Sequence, residues 1–401
     1  MKKFNKNSIV FLFVIIFIIV GLWGNCFEQL KLDTLDMLSG IKHGNITSIF
    51  DFKTNVDDIS NQELSYHHSL MDVNSIKENL IGTRVVNKKD TIVVKADSGS
   101  LIEPIKKIKS SEIKQVVNKI ATLKNVSENN GASFLYCAVP SKELYEKAPQ
   151  NIDNCFEENY NLFLSELAKS SVPTLDFAET LSKSNFEVFY KTDHHWTVRA
   201  GFEANNALLN KLNQLYGFEY NKEMMDLTNY NIDFFYNCFL GAKGKKVGTY
   251  FTWDGADDFQ LITPKFMTSF IEEQPFKNQI RTGSFKETVL YMYNMKRDYY
   301  NINTYATYSG GDFRLQIMKN NFNTNGKKIL LIRDSFACVV APFLALQLSE
   351  LHICDIRDGD DYAGNIINIK DYIKEVEPDY VVVIYLGVTS LRNSGGRFNF
   401  F

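Results

Sequence analysis

The chain has only six histidines, and two of them stand together in Asp193-His194-His195-Trp196. An aspartate close to a histidine orients the imidazole and stabilises its protonated form, which is the supporting half of a nucleophilic hydrolase triad. The other half is an activated hydroxyl. Residues 327–336 (KKILLIRDSF) offer one, because an apolar strand-like run ends abruptly on Ser335 and a helix-like segment follows. A serine hydroxyl is a weak nucleophile at neutral pH and needs a base in hydrogen-bond reach. A strand-to-helix turn lifts such a hydroxyl to the carboxyl ends of the strands, where open α/β sheets place their sites. The amide of Ser335 or Phe336, near the start of the following helix, can stabilise an oxyanion there. The pattern is not the G-x-S-x-G elbow, and Ser335 with Asp334 also reads as a helix N-cap. The tetrapeptide itself admits three readings: a triad fragment, a metal site or a packed loop. The metal reading is the weakest, since adjacent histidines in an extended segment rarely reach one ion and no second ligand cluster is visible.

The elements around these residues alternate. Residues 111–125 carry Ile113, Val116, Val117, Ile120 and Leu123 at helical spacing, and residues 133–139 (SFLYCAV) then read as a buried strand. A helix over 156–168 and a strand over 174–177 follow. Residues 197–216 form the next helix, with Ala200, Ala204, Leu208, Leu209 and Leu212 inward. The C-terminal third repeats the alternation: strand 329–332, helix 336–348, strand 351–355, helix 366–376 and strand 380–386 (YVVVIYL). Continuous apolar strands separated by helices predict a parallel sheet covered on both faces. Residues 84–86 and 91–95 predict a hairpin. The block of about 220–325, with Gly241, Gly244 and Gly248 and many aromatics without clean period, reads as a β-rich insertion.

With 401 residues, 45% of them hydrophobic, the chain can fill a large core. A net charge of −3 provides no global basic field, which makes nucleic acid a poor candidate for the partner. At the N-terminus Lys2, Lys3 and Lys6 precede the apolar residues 8–24 (SIVFLFVIIFIIVGLWG). That length is near the lower limit for a spanning helix, and the lysines should stay cytoplasmic, leaving the rest of the chain outside. The sequence around Cys26 lacks a small-x-small cleavage pattern, which favours an uncleaved signal anchor over residues 1–24. A polar stalk is expected over 25–80. The six cysteines have no CxxC spacing, and Cys137, Cys338 and Cys354 lie in apolar segments as small buried hydrophobes.

Asp193-His194-His195-Trp196, followed by Arg333-Asp334-Ser335-Phe336-Ala337, resembles the DHHW family, SGNH-hydrolase-like proteins related to the alginate O-acetylation proteins. The resemblance covers most of residues 80–395, within a domain drawn as 81–401. It implies a flavodoxin-like SGNH-type α/β fold with a parallel sheet, and a triad in which Asp193 orients, His195 is the general base and Ser335 is the nucleophile. Side-chain alternation agrees, because in an extended segment Asp193 and His195 share a side while His194 faces away. Asp355-Ile356-Arg357 resembles a family Asp-x-Arg element, and residues 239–248 (FLGAKGKKVG) resemble its Gly-rich segment; a local ion pair and turn freedom are the plain structural alternatives. Substrate-binding candidates are Arg357, Lys142 at the end of a strand in Val139-Pro140-Ser141-Lys142, and Trp196, which either fixes its segment or lines a sugar-binding wall. Two positions depart from the family, Cys338 and Gly387-Val388, each where Asn is frequent, so backbone amides such as that of Phe336 are left as oxyanion donors. The resemblance implies an extracytoplasmic, membrane-anchored O-acetyltransferase or acetylesterase acting on a cell-envelope or secreted polysaccharide. No metal or organic cofactor is required, and a polytopic membrane O-acyltransferase is the expected acetyl-supplying partner. The alternative is an inactive SGNH-like polysaccharide-binding or scaffold protein of an acetylation complex.

Overall fold

The computed structural model describes residues 67–88, 91–323, 325–357, 367–386 and 397–401. The chain divides into two units, residues 1–80 and residues 81–401. The described part of the first unit is helix α1, His67–Leu80, where the sequence had suggested only irregular stalk. The expected anchor at residues 8–24 lies outside the described residues, and among those described no helix is long and apolar enough to cross a membrane.

The second unit begins with the predicted hairpin, β1 (Val85–Asn87) and β2 (Ile92–Lys95), which β3 (Leu101–Ile102) extends to three strands. Its remaining strands are β4 (Ser133–Ala138), β5 (Thr174–Asp176), β6 (Tyr230–Phe239), β7 (Asp257–Pro264), β8 (Phe270–Gln274), β9 (Gln279–Gly283), β10 (Leu315–Asn320), β11 (Lys328–Arg333), β12 (Glu350–Cys354) and β13 (Tyr380–Tyr385). The longer helices are α2 (Ser110–Asn129), α3 (Phe156–Lys169), α4 (Val198–Tyr216) and α5 (Ile369–Val376). Eight strands form one sheet in the order β5-β4-β13-β11-β12-β10-β8-β9. The first five run parallel, whereas β10, β8 and β9 add on antiparallel. The sheet is therefore mixed rather than purely parallel, and the supposed insertion is not separate from it. The reason is local: β8 and β9 are joined by a tight turn through Pro275 and Asn278 (φ 53), and such a link makes only antiparallel neighbours. Of the strands described in residues 220–325, β6 and β7 stand apart as a two-stranded ribbon.

Alternate residues of the central strands feed two cores, as the period of two requires. Ile329 and Leu331 of β11 and Val382 and Ile384 of β13 pack with Leu208, Leu209 and Leu212 of α4. Leu330, Ile332, Val381 and Val383 pack with Ile113 and Val117 of α2 and Phe163 of α3 on the other face. Helix α4 starts where the sequence motif ends: Thr197 caps it by accepting a hydrogen bond from the Ala200 amide, and Gly217 closes it at φ 68. The helix predicted over 336–348 is broken. A 3-10 turn, Ser335–Val339, passes to a short helix, Ala341–Ala345, because Pro342 has no amide to continue the ladder and fits only a new first turn.

The turn after β11 packs directly on α4. A β-carbon on Gly201 would lie 2.6 Å from the Val339 carbonyl oxygen and 2.4 Å from Cγ2 of the same residue. We expect Gly201→Ala to force the two apart at a cost of about 1–3 kcal/mol, read as a lower urea midpoint with unchanged slope; wild-type stability would show that this contact is not tight.

Candidate active site

Ser335 follows β11 directly, and Asp334 shapes its turn. Asp334 Oδ1 accepts a hydrogen bond from the Phe336 amide at 3.0 Å, Oδ2 accepts one from the Leu386 amide at 2.8 Å, and the Asp334 amide donates to the Ile384 carbonyl at 3.2 Å. The cap is thus Asp334, not Ser335, and the serine hydroxyl is left for other chemistry. The same bonds correct one expectation: the Phe336 amide, read as an oxyanion donor, is committed to Asp334. The Ser335 amide makes no hydrogen bond among the described residues and is the better-placed donor. Gly387-Val388 lies outside the described residues.

His195 Nε2 stands 2.7 Å from Ser335 Oγ, and its Nδ1 stands 2.5 Å from Asp193 Oδ1. Asp193 Oδ1 also accepts from the His195 amide at 2.8 Å, while Oδ2 accepts from the Ala242 amide at 2.6 Å. Burial by itself opposes ionisation of Asp193, yet the imidazoles of His194 and His195 and these hydrogen bonds outweigh it and hold the carboxyl well below its usual range. Tyr305 stacks on the His195 ring at 4.1 Å between centroids, and Phe336 lies 5.0 Å away, so neighbouring rings hold the imidazole in place. Trp196 is fully buried, donates Nε1–H to the Phe336 carbonyl at 2.9 Å and packs edge-on against Phe177 and Phe336. It fixes the segment to the serine turn and has no surface to offer a sugar.

The alternation argument placed His194 away from the site, and here the structure differs. The Asp193 carboxylate accepts from the amide two residues on, which folds the segment into a turn instead of a strand. His194 consequently lies with its ring centroid 3.8 Å from that of His195 and lines the same cavity as Ser335. Burial in the cavity wall, then neighbouring His195, push its pKa down to about 3, so it is neutral at physiological pH. Asp193, His194 and His195 offer ligand atoms within 4.8 Å of one another, a spacing a metal ion could bridge. The Asp193 oxygens and His195 Nε2 are, however, already turned toward the partners above.

Glycine makes this close fit possible. A β-carbon on Gly241 would sit 2.2–2.6 Å from the Asp193 Cβ, Cα and N atoms, so the short helix Ala242–Val247 can bring its first amide to the carboxylate only with Gly at 241. The Gly241 amide donates to Thr192 Oγ1 at 2.8 Å. The Gly-rich segment noted in the sequence thus serves Asp193 directly. On the far side of Ser335, Arg333 is 1% exposed and pairs with Asp312, which also accepts from Arg357 at 2.7 Å; Arg357 Nε donates to Asp355 at 2.8 Å. Cys338 Sγ lies 3.3 Å from Arg333 within this cluster, buried as the sequence suggested. Arg357 reaches the cavity. Lys142 does not: it is 1% exposed and donates Nζ to the Tyr190 and Lys191 carbonyls at 2.9 and 2.8 Å, so its assignment to substrate binding is corrected to an internal strut.

The cavity in front of Ser335 has a volume of about 780 Å³. Its wall includes His194, Lys243, Lys246, Arg357 and Arg397, with Glu103 and Glu143 between them. Sequence reasoning missed Tyr305, Asp312 and the buried Lys243–Glu143 pair, none of which stands in a periodic pattern or a recognisable motif. Glu143 accepts from Lys243 Nζ, from the Glu103 amide and from Ser141 Oγ. Burial would raise its pKa, but Lys243 and these bonds bring it down to about 2. A depressed carboxyl contributes stability that is present above its unfolded value and lost as pH falls through the folded one. The wild-type unfolding free energy should therefore drop between pH 4.5 and 2. Glu143→Gln should be less stable at neutral pH and flatten that drop by on the order of 3 kcal/mol, measured by urea unfolding along a pH series; an unchanged slope would remove Glu143 from the account.

Residues 103–225 match the family described as the SGNH hydrolase-like domain of the acetyltransferase AlgX. Bacillus cereus PatB1, solved with a sulfonyl adduct, superposes with a TM-score of 0.63 at 22% identity, covering 78% of this chain and 99% of PatB1. A DHHW family protein from Eubacterium siraeum superposes with a TM-score of 0.58 at 17% identity, covering 79% of this chain and 96% of its own. No curated protein sequence matches the chain. At such identities the structural likeness establishes the fold. The chain is thus similar to the SGNH hydrolase-like domain of AlgX over residues 103–225, which include Asp193-His194-His195-Trp196, and it shares its fold with PatB1 and a DHHW family protein, in line with the resemblance read from the sequence.

Proposed function

We propose that the chain is an O-acetyltransferase or acetylesterase that acts on a polysaccharide through Ser335, His195 and Asp193. The observation that supports this reading is the unbroken relay from Ser335 Oγ to His195 Nε2 at 2.7 Å and from Nδ1 to Asp193 Oδ1 at 2.5 Å, opening on a cavity of about 780 Å³. Ser335 Oγ attacks the carbonyl of an acetyl ester and passes its proton to His195 Nε2. The negative charge on the tetrahedral oxygen is met by the Ser335 amide. His195 then protonates the departing alcohol, leaving an acetyl group on Ser335. A sugar hydroxyl or water, deprotonated by the same nitrogen, attacks that acetyl group and restores the serine. Asp193 holds Nδ1–H throughout and stabilises the imidazolium. The polysaccharide comes from the family resemblance, and so does the donor side, a polytopic membrane O-acyltransferase delivering acetyl groups outside the cell. Residues 8–24 would anchor the domain to the cell membrane there.

The purified full chain should hydrolyse p-nitrophenyl acetate. Ser335→Ala and His195→Ala should each lower kcat by about 10³-fold or more, and Asp193→Asn by about 10²–10⁴-fold. A sulfonyl fluoride should add one adduct by intact mass, absent in Ser335→Ala. Undiminished turnover in Ser335→Ala would discard the triad. Glycan binding without any esterase activity in the wild type would return the chain to a scaffold.

A further inference from the structure

The segment that leads into Asp193 belongs to no helix or strand, yet each of its backbone polar groups from 190 to 192 has a partner. The Tyr190 amide donates to the His195 carbonyl at 3.2 Å. The Tyr190 carbonyl accepts from Lys142 Nζ at 2.9 Å, and the Lys191 carbonyl accepts from the same nitrogen at 2.8 Å and from the Leu101 amide at 2.8 Å. The Lys191 and Thr192 amides donate to the two carboxylate oxygens of Asp257 at 2.7 and 2.8 Å, and Thr192 Oγ1 donates to Asp257 Oδ2 at 2.5 Å. The Thr192 carbonyl accepts from the Gly244 amide at 2.8 Å. One side chain thus gathers carbonyls and another gathers amides, immediately before the residue that orients the imidazole.

We propose that Lys142 and Asp257 are positioning residues, a two-part clamp that fixes the backbone of residues 190–192 and through it the Asp193 carboxylate under His195. The inference rests on the triad reading only in that Asp193 and His195 must be aligned. Lys142 comes from the loop after β4 and Asp257 opens β7, so the clamp ties the segment to the parallel sheet and to the two-stranded ribbon at once. Ionic partners suit this task better than neutral ones, because charge-assisted hydrogen bonds are short and stiff. Burial, then the neighbouring Lys243 charge, bring the Lys142 ammonium down to about 7, and burial brings the Asp257 carboxyl up to about 6 against the hydrogen bonds it accepts and the pull of Lys142. Thr192 couples the clamp to the Gly-rich turn, since its hydroxyl donates to Asp257 and accepts from Gly241. A displacement of 1 Å near reacting groups can cost about 10²-fold in rate, so loss of either half should be felt at the chemistry and not in substrate affinity.

The test uses the full chain with Lys142→Met and Asp257→Asn, the latter replacing one of the two accepting oxygens with an amide donor that faces a backbone N–H. Two readouts are taken: kcat and KM on p-nitrophenyl acetate, and the downfield proton resonance of His195 Nδ1–H, assigned by its loss in His195→Ala. Folded variants should lose about tenfold or more in kcat at unchanged KM, with the resonance shifted or broadened. If the wild type turns over no acetyl ester, the proposed function fails while the resonance still decides on the clamp. Should either variant fail to fold, Thr192→Val and Thr192→Ser replace it: Val should disturb the resonance and Ser, which keeps the hydroxyl, should restore it. Wild-type resonance and kcat in folded Lys142→Met and Asp257→Asn, or in Thr192→Val, would overturn the proposal.

Discussion

A carboxylate buried away from water must be matched by donors or charge, and Asp193 is where this chain meets that demand. Its two oxygens take the His195 ring, the His195 amide and the Ala242 amide. Much of the surrounding architecture follows from these three bonds. The His195 amide bond folds the segment and so decides which imidazole faces Ser335. The Ala242 bond demands that the short helix Ala242–Val247 approach closer than any side chain at 241 would permit. The ring bond fixes the tautomer, leaving Nε2 directed at the hydroxyl.

The serine side is built on the same rule with different parts. Asp334 spends both oxygens on backbone amides, one in its own turn and one at the end of β13, so the loop bearing Ser335 is stitched to the neighbouring strand. Behind it, two arginines and two aspartates neutralise one another around the end of β11. Such a cluster is costly to desolvate and only returns that cost if its geometry is kept, which makes it a rigid floor more than a source of stability.

Much of this was legible in the sequence. The apolar runs of β4, β11, β12 and β13 and the helical period of α2, α3 and α4 mark the sandwich, since burial on both faces leaves no other pattern. Asp193, His195 and Ser335 stood out by type and setting. What was not legible depends on turns and on contacts between distant segments. Whether His194 or His195 faces Ser335 depends on an aspartate folding its own backbone, and alternation misjudged where the other ring goes. Trp196 and Lys142 looked like ligands because of where they fall in the chain, but their partners, Phe336, Tyr190 and Lys191, are defined only in three dimensions. The antiparallel strands β8 (FIEEQ), β9 (QIRTG) and β10 (LQIMKN) went unread because each is short and polar, with too few apolar residues to show an alternating period even where, as in β8, burial alternates.

The sheet order carries a consequence in time. β13, the last strand among the described residues, inserts between β4 and β11 in the middle of the sheet, and Leu386 directly after it supplies an amide that holds Asp334. Strands laid down early in synthesis therefore wait for the latest one before they become neighbours, and non-local pairing of this kind is slow. A chain emerging N-terminus first makes Asp193 and His195 well before Ser335, and makes the amide that holds the Ser335 turn later still. Topology alone thus makes the setting of Ser335 one of the last parts of the sheet to be completed.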